Sequence, residues 1–138
     1  MTEGRLALRP IGRVESRLRD PADAPRQGDE GAPDAWLIVR DEYAAGLHGL
    51  EAGAELFLLT WLHLARRDVL EVHPRDDPER PLAGVFTTRS ADRPNPIGLH
   101  RVRLLAVRGG RLHVAGLEAV DGTPILDLKP VLGSVETR

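Results

Sequence analysis

The stretch 86–103, FTTRSADRPNPIGLHRVR, concentrates side chains that could do chemistry. Arg89 and Arg93 each carry a planar guanidinium able to grip a carboxylate or phosphate through paired hydrogen bonds. Arg93 and Asn95 each precede a proline and are pushed toward extended backbone, while Pro94 and Pro96 fix their own φ. A segment that stiff presents its polar groups in set directions and lowers the ordering cost of binding a ligand. A rigid surface turn with solvated arginines is the plainer reading of the same residues.

A second constellation is DGTPILDLKP, residues 121–130. Asp121-Gly122 signals a tight turn. Asp127 and Lys129 stand two apart on a strand and so share a face, either as a surface ion pair or as a pair serving a pocket. His63 closes the apolar run LFLLTWLH, where a rim or core histidine is the ordinary outcome. The five histidines (48, 63, 73, 100 and 113) lack metal-ligand spacing, and there is no cysteine, so no metal site is expected. Ser90 is not in a nucleophile elbow, and neither a P-loop nor a dinucleotide fingerprint is present.

The elements that must position these residues read as strands. Residues 5–15, 35–40, 55–65, 69–74, 99–107, 112–120 and 125–132 are apolar or alternating, and Gly109-Gly110 makes a hairpin between two of them. In 99–107, His100, Val102, Leu104 and Ala106 share one face, with Arg101 and Arg103 on the other. Residues 19–34 are a Pro- and Gly-rich loop, and 41–50 can hold one helical turn around Tyr43. About eight short strands with few helices predict an all-β chain with minor helical content: a single antiparallel β-barrel. The 138 residues suit one domain, 1–138. A net charge of −2 gives no global signal for nucleic acid, and Lys129 is the only lysine among 19 basic residues. No apolar run predicts a membrane span or a signal peptide, so a cytoplasmic protein is expected.

Taken in order, the segments resemble one family, the TsaA-like or TrmO-type methyltransferases that use S-adenosylmethionine (SAM). The residues that carry the resemblance are IGRVES (11–16), Pro25-Arg26-Gln27, GLEAGAELFLLTWLH (49–63), GVFTTRSADRPNPIG (84–98) and DGTPILDLKP (121–130). The resemblance implies an antiparallel barrel, homodimeric, with SAM near the subunit interface. It implies SAM contacts from Gly28, Asp29 and Glu30, from His63 and Leu64, from Arg89, from Leu99, and from Ala115, Gly116, Leu117 and Glu118. The implied activity is methylation of the threonylcarbamoyl-modified adenosine beside the tRNA anticodon. Arg89 suits the SAM carboxylate, and either Glu118 or backbone carbonyls suit the sulfonium. Asp121 and Asp127 are candidate bases by residue type; Arg93, Asn95 and Lys129 are candidates for the nucleotide.

The chain departs from the family pattern at Gly53-Ala54-Glu55 (often F-S-H), at Val131 (often aromatic) and at Glu118 (often Asp). With the chain ending at 138, no C-terminal accessory domain is expected. Two alternatives stand beside the tRNA reading: a SAM-dependent transferase with a small-molecule or other non-tRNA acceptor, and a barrel that binds SAM without turnover.

Overall fold

A computed structural model of the chain describes residues 4–25 and 31–133. Six strands form one antiparallel sheet: β1 (Gly12–Glu15), β2 (Ala35–Val39), β3 (Glu55–Trp61), β6 (Ile97–Arg108), β7 (Arg111–Val114) and β8 (Pro124–Pro130). Their order is β1-β2-β7-β6-β3-β8, and β8 pairs again with β1, so the sheet returns on itself. Two further short strands, β4 (Glu71–Val72) and β5 (Ala83–Gly84), pair only with each other. The helical content is short 3-10 turns, the longest being Asp41–Leu47, where one helical turn was expected.

Alternation is what makes these segments strands. In β3, Leu56, Leu58 and Thr60 are buried while the residues between them are half-exposed. In β6, His100, Val102 and Leu104 point inward, with Arg101 and Arg103 outward, as the sequence predicts. The inward leucines and valines of β3, β6 and β7 pack with Val14, Leu37 and Ile125 into one core. Each fully buried side chain of this kind stabilises the fold by about 1.5–3 kcal/mol.

Strand β6 is long because it serves two neighbours. Residues 97–103 pair with β3 and residues 104–108 with β7, and a register shift between Leu104 and Ala106 turns the strand from one partner to the other. Gly109 and Gly110 close the β6–β7 hairpin, with Gly109 at φ 62°.

Several expected strands are shorter than their apolar patterns, β3 among them, which ends at Trp61 and not at residue 65. β1 begins at Gly12, not at residue 5. The alternating 69–74 yields only the two residues of β4. β7 ends at Val114, where the chain leaves the sheet to hydrogen-bond a distant loop: Gly116 N–H donates to Asp34 Oδ1 at 3.0 Å and Leu117 N–H to Pro33 O at 2.9 Å. Leu117, Ala119 and Val120 are then buried, so this irregular run belongs to the core without being a strand. Among the described residues no helix is long and apolar enough to cross a membrane.

Candidate functional site

Two loops are clasped beside the start of β6. Leu62 N–H donates to Pro96 O at 2.8 Å, Arg93 N–H to Arg66 O at 3.0 Å, and Arg66 N–H to Asp92 Oδ1 at 2.8 Å. Arg67 reaches across as well, its Nε donating to Pro94 O at 2.7 Å and its Nη2 to Asn95 Oδ1 at 2.9 Å. Arg66 also donates at 3.0 Å to each oxygen of Asp68. That hydrogen bond holds the Asp68 carboxyl below its ordinary range and raises the Arg66 guanidinium above its own. The residues following β3 and those preceding β6 therefore form one braced corner.

Inside the 84–98 loop, the 3-10 turn Val85–Thr87 is held by hydroxyls. Thr87 Oγ1 donates to Gly84 O at 2.7 Å, and Thr88 Oγ1 donates to Val85 O at 3.0 Å. Arg93 completes the brace from the other end. Its Nε donates to Ser90 O at 2.9 Å, and its Nη2 donates to Thr88 O at 2.6 Å and to Val85 O. Arg93, expected at the nucleotide, donates from Nε and Nη2 to the loop that carries Arg89. Arg89 is exposed, and no side chain or carbonyl among the described residues holds its guanidinium.

Beneath the corner lies a polar chain in a mostly apolar interior. Thr60 Oγ1 and His100 Nε2 are 2.7 Å apart, and His100 Nδ1 bonds Glu118 Oε1. Thr60 is 0% exposed and His100 5%, while the Glu118 side chain reaches 16%. Thr60 was not singled out in the sequence, and His100 was read only as an inward residue. A polar Thr in register with Leu56 and Leu58, opposite Gly98 and two residues from an inward His, was the available signal.

The remaining expected residues fall as follows. Gly28, Asp29 and Glu30 lie outside the described residues. His63 and Leu64 are exposed in the clasped loop, and Leu99 is exposed on the outer face of β6, opposite Leu59 of β3. Ala115 N–H donates to Arg103 O at 3.0 Å, and the run through Glu118 docks on residues 33 and 34. Asp127 pairs with Leu59 from the other side, so Asp127, Leu59 and Leu99 form one row across the outer face. Lys129 Nζ stands 3.6 Å from Asp127 Oδ2, an exposed ion pair.

Asp121 is elsewhere and occupied. Its Oδ1 accepts from Ser16 N–H at 3.0 Å, and its Oδ2 lies 4.0 Å from Arg19 Nη1. The two candidate bases therefore sit in different settings, one fastening the 16–19 segment and one on the outer row. Among the described residues no group of three or more His, Asp or Glu could hold a metal ion.

Two surface clefts, of about 380 and 280 Å³, lie around Pro10 and Pro124, and the smaller one reaches Trp61, whose ring Arg67 of the corner covers. They are open, mostly apolar depressions whose walls include none of the expected site residues. The braced corner, with its free guanidinium and half-buried carboxylate, is the better candidate on chemistry.

The family model of the tRNA-methyltransferase O N-terminal domain matches residues 13–137. A probable S-adenosyl-L-methionine-binding protein of Methanothermobacter thermautotrophicus is 41% identical over 137 residues, covering 99% of this chain and 98% of its own. An S-adenosyl-L-methionine-binding protein of Archaeoglobus fulgidus is 45% identical over 124 residues, covering 90% of this chain and 88% of its own. A crystal structure of TrmO from Pseudomonas aeruginosa superposes with a TM-score of 0.77 at 28% identity over 98% of this chain. Another structure of TrmO gives 0.78 at 30% identity over all of it. This chain spans 60% of each of those two crystallised chains. With a family model matching almost end to end and relatives of this identity over nearly the full length, the chain belongs to the tRNA-methyltransferase O N-terminal domain family.

Proposed function

We propose that this chain binds SAM at the braced corner and transfers its methyl group to a nucleobase of tRNA, with the threonylcarbamoyl-modified adenosine beside the anticodon as acceptor. The observation that carries the reading is Arg89: an exposed guanidinium without a partner among the described residues, on a loop that Arg93 holds rigid through three carbonyls. A carboxylate is the ligand group such a fork fits best. Glu118 supplies the complementary feature, a carboxylate placed for a cation.

When bound, SAM supplies an electrophilic methyl carbon on a sulfonium. The protein's part is positioning. Arg89 anchors the amino-acid tail, Leu64 and Leu99 offer apolar walls, and the clasp between 62–67 and 92–96 keeps those groups in register. Holding an acceptor nitrogen in line with the methyl carbon at about 3 Å supplies most of the rate such a site can give. Asp127 shares the outer row with the expected cofactor contact Leu99, whereas Asp121 fastens the 16–19 segment, so Asp127 is the better candidate to take the acceptor's proton; it would do so from a carboxylate that accepts Leu128 N–H at 2.9 Å and faces Lys129 Nζ at 3.6 Å.

The same reading includes a homodimer. Ile97 and Leu99 are exposed beside half-buried Leu59 and Trp61, an apolar strip on the outer face that a second copy would cover.

Titration calorimetry with SAM tests the site. Arg89→Ala is expected to weaken binding at least about tenfold, the loss of one charge-assisted pair; unchanged affinity rules the corner out. Labelled SAM with bulk tRNA from a strain lacking this modification tests the acceptor. Binding without transfer would favour the rival reading, a SAM-binding chain without turnover. The relatives described only as binding proteins and the occupied state of Asp121 support that rival.

A further inference from the structure

We propose that Thr60 and His100 are positioning residues that fix the Glu118 carboxylate, and through it make the site prefer the sulfonium of SAM over the uncharged thioether left after transfer. The proposal rests on the reading that SAM binds this corner and assigns the interior of the sheet a part in it.

The three residues come from separate elements. Thr60 is on β3, His100 on β6, and Glu118 on the irregular run after β7. Around them the inward positions are Leu56, Leu58, Val102 and Leu104. A polar group left unpaired there would cost about 1–3 kcal/mol. None is left unpaired among the described residues, because each member satisfies the next.

With Glu118 ionised and the His100 ring neutral, the hydrogen-bond partners assign the proton positions. An ionised carboxylate only accepts, so His100 Nδ1 carries the proton shared with Glu118. In the neutral ring Nε2 is then a lone pair, and the Thr60 hydroxyl donates to it. Both nitrogens are engaged, so the ring cannot turn and Glu118 Oε1 has one resting place.

The order hydroxyl, imidazole, carboxylate is the order found in nucleophilic relays. Here it cannot serve that end. Thr60 is completely buried, so no substrate reaches Oγ1. The chain has solvent access only at its carboxylate end, where Glu118 is 16% exposed. Its effect is delivered at that end.

Gly98 explains why the relay fits. It pairs with Thr60 across β3 and β6. A Cβ at position 98 would stand 2.6 Å from His100 Nε2, 3.1 Å from Leu62 Cδ2, and closer still to Thr60 Oγ1. The glycine that ends the Pro-Asn-Pro-Ile-Gly motif thus leaves room for the interior hydrogen bond, one residue before Leu99 and two before His100. His100 of the relay and the expected cofactor contact Leu99 are therefore adjacent on β6.

A carboxylate that is mostly withdrawn from water and held in one orientation attracts a nearby cation more strongly than a solvated, mobile one. The methyl donor is cationic at sulfur and the product is not. The fixed Glu118 therefore favours binding before transfer and release after it.

The test compares SAM with S-adenosylhomocysteine by titration calorimetry on the full chain, with thermal melts alongside. Glu118→Gln is expected to weaken SAM about tenfold and S-adenosylhomocysteine less than about twofold. His100→Ala should shift the SAM-to-product affinity ratio the same way by at least about threefold, and Thr60→Val by less. Leu112→Ala, a core truncation on β7 away from the relay, should lower the melting temperature and leave the ratio alone. Should His100→Ala not fold, the near-isosteric Thr60→Val carries the test. If the wild type binds both ligands and His100→Ala (or Thr60→Val in its place) leaves the ratio unmoved, the relay has no such part, whatever Glu118→Gln does, and the site stands. If the wild type binds neither ligand, the functional reading itself fails.

Discussion

Arg67 and Asn95 are joined side chain to side chain, Nη2 to Oδ1 at 2.9 Å, while the same guanidinium donates from Nε to Pro94 O and lies 5.0 Å from the Trp61 ring centroid. One arginine thus fastens the proline-rich loop to the end of β3. Prolines alone limit the backbone of 93–96; Arg67 decides where that stiff piece sits.

Arg67→Ala should therefore loosen the loop without unfolding the sheet. Amide exchange at residues 95 and 97 is expected to speed up, and SAM affinity to fall about threefold as the bound geometry loses its preorganisation. Arg67→Lys should not restore either, because one ammonium cannot span both acceptors and lie flat over the ring as a guanidinium does. Restoration by lysine would mean that charge alone, and not the fork, holds the loop.

Much of this architecture was legible in the sequence, and the exceptions share a cause. Strands β6 and β8 announce themselves by two-residue alternation, because each has one face on the core, whereas β2 and β3 are readable as short apolar runs. The Gly109-Gly110 hairpin is local and equally readable. The run after Val114 misleads because its apolar residues are buried by contacts with Pro33 and Asp34, some eighty positions away. No local pattern encodes that partner. At the site, Arg89 and Glu118 were identified through the family motif, whereas the tasks of Arg93 and Arg67 depend on which carbonyls the folded loop turns toward them. Thr60 was hidden for a related reason. Its importance lies in the register that sets it opposite Gly98, and register is settled by pairing between distant segments.

Two glycines test that register directly. A Cβ on Gly98 meets mainly side chains, Thr60, His100 and Leu62. A Cβ on Gly12 meets backbone: it would stand 3.0 Å from the Val39 Cα and within clashing distance of the Ile38 carbonyl. Side chains can give by a few tenths of an ångström, whereas a paired backbone cannot. Gly98→Ala should cost about 1–3 kcal/mol and Gly12→Ala more, read as urea midpoints. The reverse order would mean that the interior around Thr60 is more rigid than the β1–β2 pairing.

The outer face offers a pH test. Arg101 Nε donates to Glu55 Oε2 at 2.8 Å across the β3–β6 pair, and this hydrogen bond, with the charge behind it, holds the Glu55 carboxyl below its ordinary value. A carboxylate depressed in the folded state contributes stability that is fully present above the unfolded value and is lost as pH falls through the folded one. The contribution therefore disappears only on the acid side, below the usual glutamate range, and neutral-pH stability is unaffected by small pH changes. Because the pair is exposed, salt should screen it. In an NMR titration the Glu55 side-chain midpoint should lie below that of a free glutamate at low salt and move back toward it at high salt. Arg101→Gln should bring it back at any salt. A midpoint at the free value in the wild type at low salt would show that the two side chains are not joined in solution.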